Sequence, residues 1–199
     1  MQIEPYTQED GYRVWLSSDE QEELLNFYRE EPEKQLAMRA GLHGLRVDEW
    51  KHIKTENIRE LDSEEEAYKL RIQDGKTGFR ETPISSEMVS QMRMLKNAKQ
   101  VRQDESLISV GSRQRKRWVR KAGESLSEQT ETEDWSHLSS HDLRRTWATT
   151  TYYKMGGSRA KELIMNWGGW TDEQTFINNY VGREPDGIAV EVMQEADLL

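Results

Sequence analysis

The stretch Ser139-Ser140-His141-Asp142-Leu143-Arg144-Arg145-Thr146-Trp147 brings together residue types that can hold a phosphate. Ser139 followed three residues later by Asp142 is a capping-box variant, so the spacing predicts a helix that opens here and runs to about Met155. His141 and Arg144 are three apart and share a face of the first turn, where unpaired backbone N–H groups and the helix dipole already favour an anion. The same residues also fit an ordinary amphipathic helix, with Leu143, Trp147 and Thr150 buried and both cations in solvent. A second concentration of cations, Arg113, Arg115, Lys116, Arg117, Arg120 and Lys121, lies upstream. It reads as a helix from about Arg113 to Ala122, anchored by Trp118 and Val119 and ended by Gly123. Such a run is by default a solvated face. Clustering of one sign in an otherwise acidic chain shifts the reading towards phosphate contacts.

The chain has 199 residues, enough for one domain with a real core. Hydrophobic residues make up 34% and charged residues 33%, so a small core under a heavily charged surface is expected. The net charge of −9 is unusual for a partner of nucleic acid, but the acidic residues concentrate in 18–33, 62–66 and 124–134, which leaves the basic stretch as a distinct face. An acidic remainder of this kind suits a salt-rich cytoplasm such as that of a halophile. The absence of cysteine excludes disulfides, thiol nucleophiles and cysteine-ligated zinc. His137 and His141 are four apart, but no third ligand and no His-Glu-x-x-His accompanies them, so no metal site is expected. Nor is there a glycine-rich nucleotide loop; no cofactor is expected, and any chemistry falls to side chains. No apolar run approaches a membrane span and Met1 to Pro5 lack a signal-peptide pattern, which predicts a soluble cytoplasmic protein without membrane contact.

The elements that must position these groups can be read in order. Residues 1–15 read as an irregular lead-in broken by Pro5 and Gly11. Ser17 to Gln21 is a helix start, a second helix follows Pro32, and Gly41 and Gly44 turn the chain. Asn57 to Leu61, Ala67 to Gln73 and Phe79 to Ile84 read as a small three-stranded antiparallel sheet with Lys76 at a hairpin. Ser86 to Lys99 is an amphipathic helix, and Glu124 to Asp134 reads as a flexible loop. Gly156-Gly157 end the central helix, Ser158 caps the next, and Tyr152 and Tyr153 are packing residues. The tail, 183–199, has roughly helical spacing and would cover its own core or dock on a neighbour.

Four of these segments, in order, resemble the boxes of the tyrosine recombinases, the phage integrase family. Gly44-Leu45-Arg46-x-x-Glu49 is similar to the family's G-L-R-x-x-E. Gly75-Lys76-Thr77 through Pro83-Ile84 is similar to its G-K-[GT]-x-K-x-R-x-V-P-L strand pair, and His141 to Thr146 to its H-x-L-R-R-T box. Trp167-Gly168-Gly169-Trp170 through Tyr180 resembles L-G-[HW]-x-x-x-x-T-x-x-x-Y, with one residue more before the tyrosine than in most members. The resemblance runs from about Leu16 to Gly182. It implies the family's catalytic domain, an α+β fold that is mainly α with a small three-stranded sheet at one side. The chain would be that single domain, without the N-terminal core-binding domain that closes a clamp on DNA.

The resemblance further implies a site-specific recombinase or integrase that cuts and rejoins DNA through a 3′-phosphotyrosyl intermediate, without metal or ATP. Arg46 and Arg144 would clamp the non-bridging phosphate oxygens as bidentate donors. Lys76 would protonate the leaving 5′-oxygen, His141 would assist proton movement at the tyrosine, and Tyr180 would be the nucleophile. Trp170, where histidine is more usual, would offer its indole N–H, a donor that cannot shuttle a proton. The basic helix and Arg145 would meet DNA. The expected partner is a double-stranded attachment site bound by a homotetramer, in the host-cell cytoplasm at the nucleoid, with the gene carried by a virus or other mobile element, of haloarchaeal type given the acidity. Two other readings use the same residues: a type IB topoisomerase-like nicking and closing enzyme, and a relative that occupies attachment sites without cutting them.

Overall fold

Capping, proline and glycine placement divide the chain into eight helices and five strands among the described residues, 1–6, 11–75 and 78–199 (for Ser158, the backbone only), of a computed structural model. Strands β1 (Gln2–Pro5) and β2 (Tyr12–Trp15) pair antiparallel, Gln2 opposite Trp15 and Pro5 opposite Tyr12. This corrects the irregular lead-in expected for residues 1–15. Pro5 stands at the end of an edge strand, where it withholds no needed donor. The outer side of β2 is satisfied by side chains: Val14 N donates to Asp142 Oδ1 at 3.1 Å and Leu16 N to Thr146 Oγ1 at 3.0 Å.

Helix α1 (Ser18–Phe27) opens on a full capping box, Ser17 Oγ accepting from Glu20 N and Glu20 Oε2 from Ser17 N. Helix α2 (Pro32–Gly41) begins on proline, whose missing N–H costs nothing in a first turn. A 3-10 segment, Val47–His52, then leads into a three-stranded antiparallel sheet ordered β3 (Ile58–Glu60), β4 (Tyr68–Gly75), β5 (Gly78–Ile84). Helix α3 (Ser86–Lys99) is capped by the Ser85 hydroxyl. Helix α4 spans Ser112–Thr130, so most of the loop expected at 124–134 is helical. Gly123 does not end it. It is buried beneath the 3-10 turn Glu133–His137, where an added Cβ would lie 2.4 Å from the Trp135 carbonyl oxygen.

Helix α5 (Ser140–Met155) is the central helix the capping box predicts. It is buried on nearly all sides rather than along one stripe: Asp142, Leu143, Arg144, Thr146, Trp147, Ala148 and Thr149 are all inside. Leu143 packs into the larger core with Leu36, Met38, Trp50, Leu70, Met92, Val119 and Trp135. Trp147 and Ala148 pack into a second cluster with Ala160, Ile164, Trp170 and Phe176. Helix α6 (Gly157–Gly168) has Gly156, not Ser158, at its N-cap; α7 (Glu173–Tyr180) and α8 (Asp186–Glu195) follow, and α8 buries none of its residues. The chain is thus mainly helical with a small three-stranded antiparallel sheet. Among the described residues no helix is long and apolar enough to cross a membrane.

Candidate active site

Where the two cores meet, three arginines from three elements converge on the carboxyl end of α6. Arg80 on β5 donates to the Trp167 carbonyl, Arg144 on α5 to that of Gly168 at 2.6 Å, and Arg46 to that of Gly169 at 2.7 Å. These are the carbonyls a helix leaves unpaired at the negative end of its dipole, so cations are drawn to them. Gly44 allows α5 to approach: its φ is +80°, an added Cβ would sit 2.4 Å from Trp147, and its carbonyl accepts from Arg144 Nη1 at 2.5 Å.

Glu49 lies inside this group. Its carboxylate accepts from Arg46 Nη1 at 3.0 Å, Arg46 N at 2.7 Å and Arg80 Nη2 at 2.5 Å. Burial alone would raise its pKa, but Arg80, the Arg46 amide and the charges of Arg144 and Arg46 hold it below the ordinary carboxylate value. One carboxylate against three guanidiniums leaves the cluster cationic. Burial, then repulsion from Arg46 and Arg80, pushes the Arg144 pKa well down, against the pull of Glu49 and Tyr180. The end of β4 abuts the same group, since a Cβ on Gly75 would lie 3.3 Å from Glu49 Oε1. Lys76, the next residue, lies outside the described residues.

The guanidinium of Arg144 sits 3.8 Å over the Trp170 ring and 5.6 Å from the centre of the Tyr180 ring. Trp170 meets Tyr180 edge-on at 4.6 Å and stacks on Trp147 at 6.1 Å. Trp170 Nε1 and Arg144 Nε are buried and have no hydrogen-bond partner among the described residues. Helix α7 is aimed by Asp172, which caps it through Thr175 N at 2.7 Å. Tyr180, half-buried at its last position, lines a crevice of about 360 Å³ with His141, Arg145, Ser139 and Asn179. His141 stands exposed at the rim; the protein packed about it, then the charge of Arg145, keeps its imidazole pKa below the ordinary value. His141 and Arg144 therefore flank Tyr180, as a pair from one helix turn can. The anion at the start of α5 is the chain's own: Asp142 accepts from Ser139 N at 2.8 Å, Ser139 Oγ at 2.6 Å and Val14 N, and pairs with Arg145. No three histidine or carboxylate side chains converge as metal ligands among the described residues.

Of the basic residues on α4, Arg113, Lys116, Arg117, Arg120 and Lys121 are exposed and follow the i, i+3, i+4, i+7, i+8 spacing of a single face. Arg115 is not among them. It is 6% exposed and donates to the carbonyls of Val47 and Ile108, each at 3.2 Å, which ties α4 to the turn after Arg46. Arg145 is likewise turned inward, on Asp142 Oδ1 and, at 2.9 Å, on the Asn179 carbonyl. Arg80 is the site residue that the sequence reading did not single out, although it stands where the strand-pair box has its arginine, in R-x-V-P-L. Its signal was the alternation of β5, which sets Arg80 inward with Thr82 and Ile84 and leaves Phe79 65% exposed, the reverse of a solvated strand.

The sequence profile of the phage integrase family matches residues 14–185. No curated protein sequence matches the chain at a significant level. Solved structures do share the fold. The XerA recombinase crystal structure superposes with a TM-score of 0.69 at 18% identity, over 92% of this chain and 65% of that one. XerH site-specific recombinase bound to its difH substrate gives 0.62 at 14% identity, over 90% and 53%. A lambda integrase(75-356) dimer bound to a COC' core site gives 0.54 at 20% identity, over 85% and 59%. The chain thus spans between 53% and 65% of the length of these three. With the profile covering nearly the whole chain, it belongs to the phage integrase family, the tyrosine recombinases.

Proposed function

We propose that this chain is a site-specific DNA recombinase or integrase that cleaves and rejoins a phosphodiester through Tyr180. The phenolic oxygen attacks phosphorus as the bond from phosphorus to the 5′-oxygen breaks, giving a 3′-phosphotyrosyl link and a free 5′-hydroxyl. Lys76 gives the leaving oxygen its proton and His141, neutral near pH 7, takes that of the phenol. Arg46, Arg144 and the Trp170 N–H bind the non-bridging oxygens, whose charge grows in the transition state. Because one ester replaces another, reversal needs neither metal nor ATP. The observation that carries this reading is the pair of unpartnered buried donors, Arg144 Nε and Trp170 Nε1, beside Tyr180 in a cationic cluster. Buried donors are normally paired, and a phosphate oxygen is the acceptor such a group suits.

The exposed stripe on α4 would lie along the DNA backbone. Five cations on one helix face repel one another within the chain itself, which a polyanionic partner would offset. The solved recombinase–DNA complexes of this fold, one of them a dimer on its core site, support a double-stranded DNA site as that partner; assembly there as a homotetramer is part of the proposal. The test is a denaturing-gel assay for a covalent adduct on nicked duplexes drawn from sequences flanking the gene. Wild type is expected to form the adduct and Tyr180→Phe to lose it while keeping DNA affinity. An adduct retained by Tyr180→Phe would move the nucleophile elsewhere, and binding without an adduct would favour a non-cutting relative.

A further inference from the structure

The end of α7 is held almost entirely by side chains from other elements. Arg13 Nη1 donates to the Asn178 carbonyl at 2.5 Å, and Arg145 Nε to that of Asn179 at 2.9 Å. The Tyr180 carbonyl accepts twice, from Trp15 Nε1 at 3.2 Å and from Thr149 Oγ1 at 2.8 Å. The Thr149 hydroxyl also accepts from Gly182 N at 2.9 Å, so one side chain bridges both sides of the bend after the tyrosine. Tyr153 donates its hydroxyl to the Gly182 carbonyl at 3.2 Å. Gly182 has no room for a side chain: a Cβ would lie 2.7 Å from the Trp15 ring.

We propose that Thr149 and Trp15 are positioning residues for Tyr180. They fix its backbone so that the phenol faces Arg144 and Trp170 before DNA arrives. The inference rests on the reading of Tyr180 as nucleophile. Its force comes from where the two donors sit. Thr149 is 2% exposed on α5, the helix that also carries Arg144, whose guanidinium meets the Tyr180 ring. One rigid element therefore sets both the position of the tyrosine backbone and that of the cation its ring must face. Trp15, 4% exposed, belongs to β2, which is pinned to α5 through Asp142 and Thr146 on either side of it. Without these donors the Tyr180 carbonyl, the last of α7, would be unpaired and the turn after it free to fray. Displacing a reacting group by about 1 Å costs about a hundredfold in rate, so a clasp on the nucleophile's own carbonyl bears directly on chemistry.

The test is single-turnover adduct formation at saturating protein, on whichever nicked duplex from the gene's flanks gives wild type its largest adduct, with DNA affinity measured separately. Thr149→Val keeps the shape and loses the hydroxyl, Thr149→Ser restores it, and Trp15→Phe keeps a ring against Gly182 while losing the N–H. Met92→Ala, a core change in α3 remote from α7, controls for lost stability at a temperature giving the same folded fraction. Thr149→Val is expected to slow adduct formation about tenfold or more with DNA affinity unchanged, Thr149→Ser to recover most of the rate, and Met92→Ala to match wild type. Hydrogen exchange at the Gly182 amide should quicken in Thr149→Val. A wild-type rate in Thr149→Val, or a loss no greater than that of Met92→Ala, overturns the proposal. Should Thr149→Val fail to fold, a wild-type rate in Trp15→Phe overturns it instead. A Tyr180-dependent adduct indifferent to these changes sinks this inference alone; an adduct that survives Tyr180→Phe, or none in wild type, removes the nucleophile assignment beneath it.

Discussion

Glu49 and Arg80 form an ion pair sealed from solvent, Oε2 to Nη2 at 2.5 Å, with side chains 4% and 5% exposed. The pair joins the sheet to the turn that carries Arg46, and it places a third cation in the cluster. Arg80→Met leaves Glu49 still bound by Arg46 but one charge-assisted hydrogen bond short, so it is expected to lower the free energy of unfolding by about 1.5–3 kcal/mol, read from urea denaturation. Arg102→Met, which breaks a solvated pair with Asp104, should leave the midpoint where it was.

Neutralising Lys116, Arg117 and Arg120 together is expected to weaken binding to unrelated duplexes alike. The slope of log affinity against log salt should shrink by about 0.9 for each DNA phosphate no longer neutralised, measured by fluorescence anisotropy. Arg115→Gln separates surface from interior: it should lower stability, because it frees the Val47 and Ile108 carbonyls, and leave the salt slope alone. An unchanged slope in the triple variant would take α4 off the DNA backbone.

The lowered pKa of His141 predicts the acid limb of the cleavage profile. If the neutral imidazole accepts the phenol's proton, the rate falls as pH drops through that pKa, which lies below the ordinary value of about 6.5. His141→Gln should be slower at neutral pH and lack this limb. A wild-type limb in His141→Gln would assign the titration to another group.

His43 is half-buried and neutral, with Nδ1 on the Arg39 carbonyl at 2.8 Å and Nε2 accepting from Ser85 N at 3.2 Å. Burial is the main cause of its lowered pKa; the Arg39 carbonyl and Glu87 oppose that shift and the Arg39 charge adds to it. Above about pH 6.5 both folded and unfolded states are neutral and the site's contribution is fully present. As pH falls from there to the folded pKa, the unfolded chain takes up a proton the native one refuses, and stability declines. Denaturation midpoints should therefore fall between pH 8 and pH 5, and His43→Gln should flatten that part of the profile.

Much of the architecture was open to local reading. Ser17, Pro32 and Ser139 mark their helices within a turn, and strand alternation located the three-stranded sheet. Arg46, His141, Arg144, Trp170 and Tyr180 stood out by type and order along the chain, and the structure brings all five around one helix end and one crevice. Capping and periodicity involve groups only a few residues apart, so the chain states them directly. What escaped such reading depended on distant partners. Gly123 resembles a terminator until the Trp135 carbonyl is seen against it, and β2 resembles a lead-in until its amides find Asp142 and Thr146, 128 and 130 positions away. The same holds for the arginines. Arg80, Arg115 and Arg117 carry one charge and one shape, yet the first completes a buried cluster, the second ties α4 to the Arg46 turn, and the third faces solvent. The order of residues determined that cations would be present; burial and carbonyl partners, which exist only once the chain has packed, decided which of them hold the fold and which are left facing solvent.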